Sequence, residues 1–363
     1  MKEAEDMFLC PKPGEWVKGK MVGWGSFGTV HLAMNKSTGG LFVVKSAESQ
    51  AALDSLEHEA NILENLSSPH IVKCIGRENF KGVNGDKKLN LFIEYMAGGS
   101  LADIADKFEG VLDERMVRLY TREILKGLVY LHNNGVVHCD LKCKNVLLSS
   151  SGNIKIADFG CAKRLNGSKI NSSSVESLKS ICGTPLWMAP EVLRKQEIDY
   201  TSDIWSLGCT VIEMATGKPP KWGDEILNPM SAMFKIACSN ETPKFPKGFS
   251  KDGLDFLHKC FERDVKKRWT SQKLLQHPFV SSKLEQINAE NVEVLSPSSV
   301  LDVGLYEVDE DDIVSQEPIC KREINRRIPF TMRNSGERDY LSNRHSTNNL
   351  IASSGNWITV RIN

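Results

Sequence analysis

One change of pattern constrains the fold of this chain more than any other feature. The spacing of apolar residues changes from strand-like to helix-like near Gly98 and Gly99. Between residues 16 and 94, apolar and polar residues mostly alternate and glycine-containing turns interrupt them, which is typical of a twisted antiparallel sheet. After Ser100, long segments carry apolar residues at helical spacing. The pattern predicts an α+β fold with a β-rich lobe, an α-rich lobe and a hinge at residues 94–100, where a ligand cleft can form.

The β-rich part is predicted to contain five strands and one helix. The strands are expected at Val17–Val22, Thr29–Met34, Leu41–Lys45, Ile71–Ile75 and Leu89–Glu94, with a polar turn over residues 81–88. The helix is expected at Ser49–Leu66, with its apolar face at Leu53, Leu56, Ala60, Leu63 and Leu66. Further helices are predicted at Glu114–Asn134, from Ser202 to Gly217, around Met230–Cys238 and at Lys251–Phe261.

The totals of the chain narrow the class of protein. It has 363 residues, of which 40% are hydrophobic, enough for two lobes that each bury a core. Lys and Arg number 46, as do Asp and Glu, so the net charge points neither to nucleic acid nor to an anionic membrane. No apolar run approaches the ~18 to 20 residues of a membrane span, and residues 1–15 lack the apolar core of a signal peptide. We therefore expect neither nucleic-acid binding nor membrane insertion.

The ten cysteines are scattered and form no C-x-x-C pair. Cys74, Cys209 and Cys260 stand within apolar patterns, as buried thiols do. This usage is typical of reduced, mostly buried thiols in a reducing compartment. The expectation is a cytoplasmic protein whose cysteines are not joined.

Three glycines, Gly23, Gly25 and Gly28, form a G-x-G-x-x-G pattern, which is weak evidence by itself. In a dinucleotide-binding fold the pattern opens a helix, and an acid follows about 20 residues later. Here a strand follows, and the third strand ends at Lys45 instead of an acid. The arrangement favours a glycine-rich flap whose backbone closes over phosphates. A plain glycine-rich hairpin is the alternative.

Glu59 lies on the border of the apolar face of the first predicted helix. A carboxylate is costly to bury unless it is paired. An ion pair between Lys45 and Glu59 would account for both residues. The alternative is that Glu59 is solvated, like its neighbours Glu57 and Glu64.

A short polar turn between two apolar runs holds an acid, a cation and an amide, at Asp140, Lys142 and Asn145. Asp140 can accept a proton, Lys142 can bind a phosphate and Asn145 can bind a metal. The strand Ile154–Ala157 then leads to Asp158, thirteen residues after Asn145 and across a predicted hairpin. This placement allows Asn145 and Asp158 to share a divalent ion.

Taken in order, these stretches resemble the eukaryotic protein kinase family over residues 16–280. The resemblance also rests on the segments Asp158–Gly160, Gly183–Glu191, Ser202–Gly208 and Arg263–Thr270. It implies a two-lobed kinase fold with ATP between the lobes. The domains would be an N-terminal extension at 1–15, a protein kinase domain at 16–280 and a polar regulatory or docking tail at 281–363.

The resemblance also implies roles for individual residues, with ATP and Mg²⁺ as cofactors. The catalytic residues would be Asp140 as base, Lys142 at the γ-phosphate, Lys45 at the α/β-phosphates and Glu59 as the helix partner of Lys45. The metal ligands would be Asn145 and Asp158. The nucleotide-binding positions would be Val22, Gly23, Gly25, Ser26, Gly28, Val30, Val43, Lys45, Glu94, Met96 and Leu147, behind the gatekeeper Ile93. Glu191 and Arg268 would form a buried pair under the substrate platform, and Asp203 would tie down the catalytic loop.

Lys142, two residues after Asp140, and Thr184 in the segment Gly183–Glu191 are similar to the Ser/Thr-specific branch of the family. Trp16–Gly19, the segment Val22–His31, Ser296–Asp302 and Asn356–Arg361 are similar to plant MEKK-like MAP kinase kinase kinases. The implied substrate is the activation loop of a MAP kinase kinase. A kinase outside the MAP kinase cascade and a pseudokinase scaffold that acts by binding alone are the alternatives.

The chain departs from the family pattern at Cys139, where an arginine usually precedes the catalytic aspartate. In the family that arginine binds a phosphate on the activation loop, and cysteine cannot supply its charged fork. Activity should therefore depend only weakly on phosphorylation of Ser180, the position that matches the loop phosphosite. Ser172, Ser173, Ser174 and Ser177 are alternative sites. Cys161 is expected to be either an accessible thiol or a small buried hydrophobe.

Residues 281–363 are rich in Ser, Asn and charged residues and show little periodicity. The composition predicts disorder. Five acids lie between Glu307 and Asp312, and a basic group from Lys321 to Arg333 follows. The tail can be a solvated polyampholyte or a segment that docks upstream regulators. A basic nuclear-import patch, which would add a nuclear location, is a further option.

Overall fold

The β-rich lobe is a five-stranded antiparallel sheet with one helix packed against it. The computed structural model describes residues 10–25, 28–47, 49–82, 85–108, 110–165, 182–223 and 229–281. The strands are β1 (Trp16–Gly25), β2 (Gly28–Asn35), β3 (Leu41–Ser46), β4 (Cys74–Lys81) and β5 (Lys87–Glu94). Their order in the sheet is β1-β2-β3-β5-β4. The first three and the fifth agree with the alternation of apolar residues, so the predicted sheet is confirmed.

The fourth strand was predicted in the wrong place. Ile71 and Val72 are apolar because they are buried against the segment Ile154–Ile156, where the Val72 amide donates to the Ile156 carbonyl at 3.0 Å. The strand itself begins only at Cys74 and continues to Lys81, the residue at which the polar turn was predicted to begin. Since β4 is an edge strand with few buried side chains, it carries no apolar alternation that a sequence pattern could detect.

Helix α1 (Gln50–Leu63) covers one face of the sheet and delivers Glu59 to the cleft. The Ser49 hydroxyl caps it by accepting from the Ala52 amide at 3.2 Å. The predicted apolar face is buried, including Leu56, Ala60 and Leu63. Glu59 lies on the same face and is fully buried, so the solvated alternative for this residue is wrong.

The second lobe is helical, which confirms the predicted α+β fold class. Its helices are α2 (Leu101–Lys107), α3 (Glu114–Asn133), α4 (Pro190–Leu193), α5 (Thr201–Thr216), α6 (Pro229–Cys238), α7 (Lys251–Cys260), α8 (Ser271–Leu275) and α9 (Pro278–Ser281). Helix α5 is buried along almost its whole length, and Trp205 stacks on Trp222 with ring centroids 5.6 Å apart. The helix ends at Gly217, whose φ of +62° and close contact with Gly110 exclude a side chain.

Two small sheets lie at the junction of the lobes and hold the polar turn. One contains β6 (Gly99–Ser100), β8 (Val146–Leu148) and β9 (Ile154–Ile156). The other pairs β7 (Val136–Val137) with β10 (Lys163–Arg164). The turn that carries Asp140, Lys142 and Asn145 runs from β7 to β8, so strands at both of its ends fix its position.

Several residues for which the sequence makes predictions lie outside the described ranges. These are the N-terminal part of the 1–15 extension, Ser26 of the flap, the serines at 172–174, 177 and 180, and residues 282–363 of the tail. Within the described residues, no helix is long and apolar enough to cross a bilayer.

Candidate active site

Lys45 joins the two lobes through two ion pairs. Its Nζ atom donates to Glu59 Oε2 at 2.6 Å and to Asp158 Oδ1 at 2.8 Å. β3 supplies the lysine, α1 supplies Glu59, and the loop after β9 supplies Asp158. The predicted Lys45–Glu59 pair is therefore present, with Asp158 as an additional partner.

Charge and burial oppose each other in this cluster. Burial disfavours the Lys45 ammonium, but the charges of Asp158 and Glu59 outweigh it and raise the pKa of Lys45 above its ordinary value. Burial raises the pKa of Glu59 in spite of Lys45. For Asp158 burial acts in the same direction, yet the Lys45 charge dominates and lowers the pKa of that carboxyl. Asp158 is therefore the carboxylate of the cluster that stays ionised most readily, as a metal ligand must.

Asp140 lies at the centre of a buried hydrogen-bond network. Lys142 Nζ donates to Asp140 Oδ2 at 3.0 Å and to Thr184 Oγ1 at 2.6 Å. The Thr184 hydroxyl donates to Asp140 Oδ1 at 2.6 Å. Asn145 Nδ2 donates to the Asp140 carbonyl at 2.8 Å. A carboxylate, an ammonium and a hydroxyl are thus held together next to the cleft.

Asp203, at the start of α5, binds the backbone of the polar turn between β7 and β8, the catalytic turn, which carries Asp140, Lys142 and Asn145. Its Oδ2 accepts from the His138 amide at 2.9 Å and lies 3.0 Å from His132 Nε2, and its Oδ1 accepts from the Cys139 amide at 2.9 Å. Cys139 has a φ of +65°, which is uncommon for a residue with a side chain. The two hydrogen bonds hold the turn in this conformation, directly before Asp140. Burial would raise the pKa of Asp203, but the hydrogen bonds and nearby histidines lower it.

Glu213 is a residue that reasoning from the sequence missed. Its Oε2 accepts from the Cys143 amide and from Trp187 Nε1, each at 3.0 Å. It therefore links α5 both to the catalytic turn and to the segment that follows Thr184. Burial raises the pKa of this carboxyl. The available signal was an acid within the apolar pattern of α5, which requires polar partners.

Asn145 and Asp158 fit a magnesium site. The Ala157 amide donates to the Asn145 carbonyl at 2.9 Å, which brings the residue before Asp158 beside Asn145. The Asn145 amide nitrogen is used by Asp140, which leaves the side-chain oxygen for a cation. Asp158 has a φ of +64°, a strained conformation of the kind found at functional sites. One carboxylate and one amide oxygen, completed by phosphates and water, form the donor set that Mg²⁺ prefers.

The predicted adenine clamp lies at the hinge side of the cleft. Val30 pairs with Lys45 across β2 and β3, and Val43 pairs with Ile93 across β3 and β5. Val30, Val43 and Leu147 are only half-buried, so apolar surface remains for a flat ring. The other predicted nucleotide-binding positions lie on three segments. Val22, Gly23 and Gly25 are on β1, Gly28 begins β2, and Glu94 and the buried Met96 are at the hinge.

The Glu94 side chain does not face a ligand. Lys155 Nζ donates to its two carboxylate oxygens at 2.7 and 2.9 Å. Since Lys155 belongs to β9, this ion pair fastens the hinge to the small sheet that supports the catalytic turn. A contact between Glu94 and adenine would therefore involve the backbone of this residue.

Glu191 and Arg268 form the buried pair that the resemblance implied. Arg268 Nη1 and Nη2 donate to the two Glu191 oxygens at 2.6 and 3.0 Å. Nη1 also donates to the Thr201 carbonyl at 2.9 Å and Nε to the Glu262 carbonyl at 2.7 Å. The pair fastens α4 to the segment before α8, below the loop that carries Thr184.

The expectation that the cysteines are reduced is wrong for two of them. Cys161 and Cys182 form a disulfide with a Cα–Cα distance of 5.4 Å. Both residues are buried, so Cys161 is not an accessible thiol either. In the part of the chain that the structure describes, the other cysteines are free, at positions 10, 74, 139, 143, 209, 238 and 260. The pairing was missed because two cysteines 21 residues apart have no diagnostic spacing.

Comparison with protein families matches residues 16–280 to the protein kinase domain. The chain is 41% identical over 302 residues to mitogen-activated protein kinase kinase kinase 17 of Arabidopsis thaliana, covering 82% of this chain and 78% of the relative. It is 37% identical over 360 residues to mitogen-activated protein kinase kinase kinase 20 of the same plant, covering 96% of this chain and 100% of the relative. A third Arabidopsis relative, mitogen-activated protein kinase kinase kinase 2, is 37% identical over 325 residues, which span 85% of this chain and 48% of the relative.

Proposed function

The chain belongs to the protein kinase family, as a Ser/Thr kinase of the plant MAP kinase kinase kinase type, and we propose that it uses ATP and Mg²⁺ to phosphorylate MAP kinase kinases. One observation carries the proposal. Lys45 forms ion pairs with both Glu59 and Asp158. Asp140 accepts hydrogen bonds from Lys142 and Thr184. The groups proposed to bind phosphates and the groups proposed to meet an acceptor hydroxyl are therefore each held in place by buried partners.

Phosphoryl transfer requires positioning and charge neutralisation more than covalent chemistry. Lys45, held by ion pairs to Glu59 and Asp158, would present its ammonium to the α/β-phosphates. Asn145 and Asp158 would hold the magnesium ion, which when bound neutralises charge on the phosphate oxygens. The adenine ring would occupy the apolar gap between Val43 and Leu147.

Asp140 would orient the acceptor hydroxyl and accept its proton, since its carboxylate is held at a fixed position by three neighbours. Lys142 is bonded to the same carboxylate and would meet the transferred phosphoryl group with its positive charge. Thr184 joins the Asp140 and Lys142 side chains through one hydroxyl. Acceptor and phosphoryl group would thus meet between these three side chains.

The MAP kinase kinase is proposed as substrate because the relatives that this chain covers over most of their length are named MAP kinase kinase kinases. The complete set of phosphate-binding and metal-binding residues disfavours a pseudokinase scaffold. We further propose a cytoplasmic location, with the basic group in the tail as a route to the nucleus, and the tail as a docking segment for upstream regulators.

The substrate class is tested with radiolabelled ATP on a panel of purified MAP kinase kinases, each made inactive so that it cannot label itself. We expect label in at least one of them, on serine or threonine of its activation loop. Label in a generic basic protein but in no MAP kinase kinase would reject the proposed substrate and leave the kinase activity standing. The Asp140→Asn variant is the control for contaminating kinases.

A further inference from the structure

The disulfide lies beside the catalytic turn and joins two segments that reach the active site from different directions. Cys161 follows Asp158, Phe159 and Gly160, so one end of the bond belongs to the loop that carries the metal ligand. Cys182 directly precedes Gly183 and Thr184, so the other end belongs to the segment that contacts Asp140. Cys139 packs against both cysteines. The bond therefore crosses between the two halves of the site.

The segment held by Cys182 approaches the catalytic turn very closely. A Cβ atom on Gly183 would lie 2.6 Å from the Cys139 carbonyl oxygen, so only glycine permits this approach. The next residue, Thr184, is almost fully buried and bonded to Asp140 and Lys142. The position of Cys182 therefore influences the placement of the Thr184 hydroxyl in the site.

On the other side, Cys161 fixes the end of the loop that begins at Asp158. The Phe159 amide donates to Glu59 Oε1 at 3.2 Å, and the Phe159 ring packs on His138 with centroids 5.0 Å apart. The Ala162 carbonyl lies 2.6 Å from His58 Nε2 on α1. The Cys161 end of the bond thus connects to the Lys45–Glu59 pair through short contacts.

Cys139 cannot replace the cation that would hold a phosphorylated loop. A thiol offers neither a positive charge nor a bidentate donor. Next to Cys139 the chain has a covalent bond between Cys161 and Cys182. The disulfide can therefore hold these two residues together without a phosphate.

We infer that Cys161 and Cys182 form a redox-modification site that controls the kinase, active as the disulfide and weakened when a dithiol reductant opens it. In the reduction, a thiolate of the reductant attacks one cysteine sulfur and displaces the other as a thiolate, which takes up a proton. The second thiol of the reductant then resolves the mixed disulfide, so the reductant leaves as a cyclic or protein disulfide and both cysteines end as thiols. Exchange with a disulfide oxidant reverses the reaction.

The surroundings favour a switch over a permanent structural bond. In the cytoplasm, the location proposed above, disulfides of mesophilic proteins are usually transient or redox-sensing. The neighbouring thiol of Cys139 does not compete for the bond, because burial raises its pKa above the ordinary value and keeps it protonated. The two cysteines are 21 residues apart, so opening the bond removes the covalent link between the segment after Asp158 and the segment before Thr184.

The size of the effect follows from loop closure. A disulfide that joins residues about 20 positions apart lowers the conformational entropy of the opened chain. This shifts the ratio of closed to opened chain on the order of a hundredfold. After reduction, packing around Gly183 and Thr184 keeps a fraction of the molecules in the conformation that the disulfide holds. We therefore expect reduction to lower kcat by about tenfold to a hundredfold, with a smaller change in the KM for ATP.

The test uses the full chain and two readouts. Differential alkylation with mass spectrometry measures which cysteines are joined before and after incubation with dithiothreitol and after reoxidation with oxidised glutathione. Activity is measured on the same samples with a generic basic protein as substrate. The inference rests on the kinase activity and not on the identity of the MAP kinase kinase, so a failure to label that substrate leaves this test intact. The variants are C161S/C182S and C161A/C182A, and Cys238→Ser is the control, an exposed cysteine on α6.

The expected result is that Cys161 and Cys182 are joined before reduction and that activity falls on reduction and returns on reoxidation. The control variant should respond like the wild type, and both double variants should have the low activity regardless of dithiothreitol. Free Cys161 and Cys182 thiols in the unreduced protein would overturn the inference, as would undiminished activity of fully reduced wild type. If a double variant fails to fold, as judged by thermal unfolding, the reduction and reoxidation cycle of the wild type still decides.

Discussion

Replacing Asp203 by asparagine should destabilise the catalytic turn and leave binding of the nucleotide almost unchanged. The change keeps the size of the side chain and turns one carboxylate oxygen into an NH₂ group. Both oxygens accept from backbone amides of the turn, Oδ2 from His138 and Oδ1 from Cys139, each at 2.9 Å. In either orientation of the asparagine side chain, one of these two backbone amides faces the NH₂ group, which is a donor, and loses its acceptor.

The magnitude follows from the bonds that are lost. A buried amide without an acceptor costs about 1–3 kcal/mol, and the remaining bond loses the strength that the charge supplied, about 1 kcal/mol. We therefore expect the free energy of unfolding to fall by about 2–4 kcal/mol. The Cys139 backbone, with its φ of +65°, is then free to relax, and Asp140 moves with it. A displacement of about 1 Å at a catalytic group can cost about a hundredfold in rate.

The assay combines urea unfolding with steady-state kinetics. We expect kcat to fall by about a hundredfold and the KM for ATP to change by less than about threefold, since Lys45 and Glu59 do not contact Asp203. The matched control is Asp255→Asn, because Asp255 also lies 2.9 Å from a histidine nitrogen, His277 Nε2, but its side chain is 54% exposed. The control should lose less than about 1 kcal/mol. Wild-type kcat and stability in Asp203→Asn would refute this account of the turn.

Three further substitutions test other parts of the site. Arg268→Lys should lower the free energy of unfolding by about 3 kcal/mol in urea titrations, because lysine cannot form the fork with Glu191. Glu59→Gln should lower kcat/KM by about tenfold or more at saturating Mg²⁺, because glutamine cannot accept from both Lys45 and the Phe159 amide. Burial raises the pKa of Glu213, so its contribution to stability is greatest below the ordinary carboxyl pKa and is lost as the pH rises through the raised one. Thermal unfolding between about pH 4 and pH 7 should therefore show a smaller loss of stability with rising pH in Glu213→Gln than in the wild type.

Residues whose side chains are partly or fully exposed serve as controls for these three substitutions. Arg194→Lys should leave stability unchanged, Glu57→Gln on α1 should leave kcat/KM unchanged, and Glu197→Gln should keep the wild-type pH dependence, since all three side chains reach solvent. Equal effects in a substitution and its control would show that the buried partners are not the cause.

Reasoning from the sequence succeeded where one residue already required another. Glu59 on an apolar helix face required a cation, and Lys45 at the end of β3 was the available one. The alternation of apolar residues placed β2 and β3, because these strands bury Ala33, Phe42 and Val44 in the core. The predicted hairpin also indicated that Asn145 and Asp158 lie close together, and the hydrogen bond from the Ala157 amide to the Asn145 carbonyl places them on adjoining segments.

The same reasoning failed where the cause is tertiary. The edge strand β4 has no buried face to mark it. Glu213 binds groups that are 26 and 70 residues away, and nothing local to α5 indicates which donors it meets. The Cys161–Cys182 bond joins segments that no periodicity connects, and Cys182 directly precedes Gly183, which closely approaches the Cys139 carbonyl.

The most direct test of the central claim, that Asp140 and its partners carry out phosphoryl transfer, is a paired measurement on Asp140→Asn. Binding of ATP with Mg²⁺ is measured by calorimetry, and transfer of the labelled γ-phosphoryl group is measured under single-turnover conditions. We expect the affinity for ATP to stay within about threefold of the wild type, because Asp140 is not among the phosphate-binding groups. Transfer should fall by about a thousandfold, the contribution of a positioned base. Transfer at the wild-type rate with bound nucleotide would contradict the account.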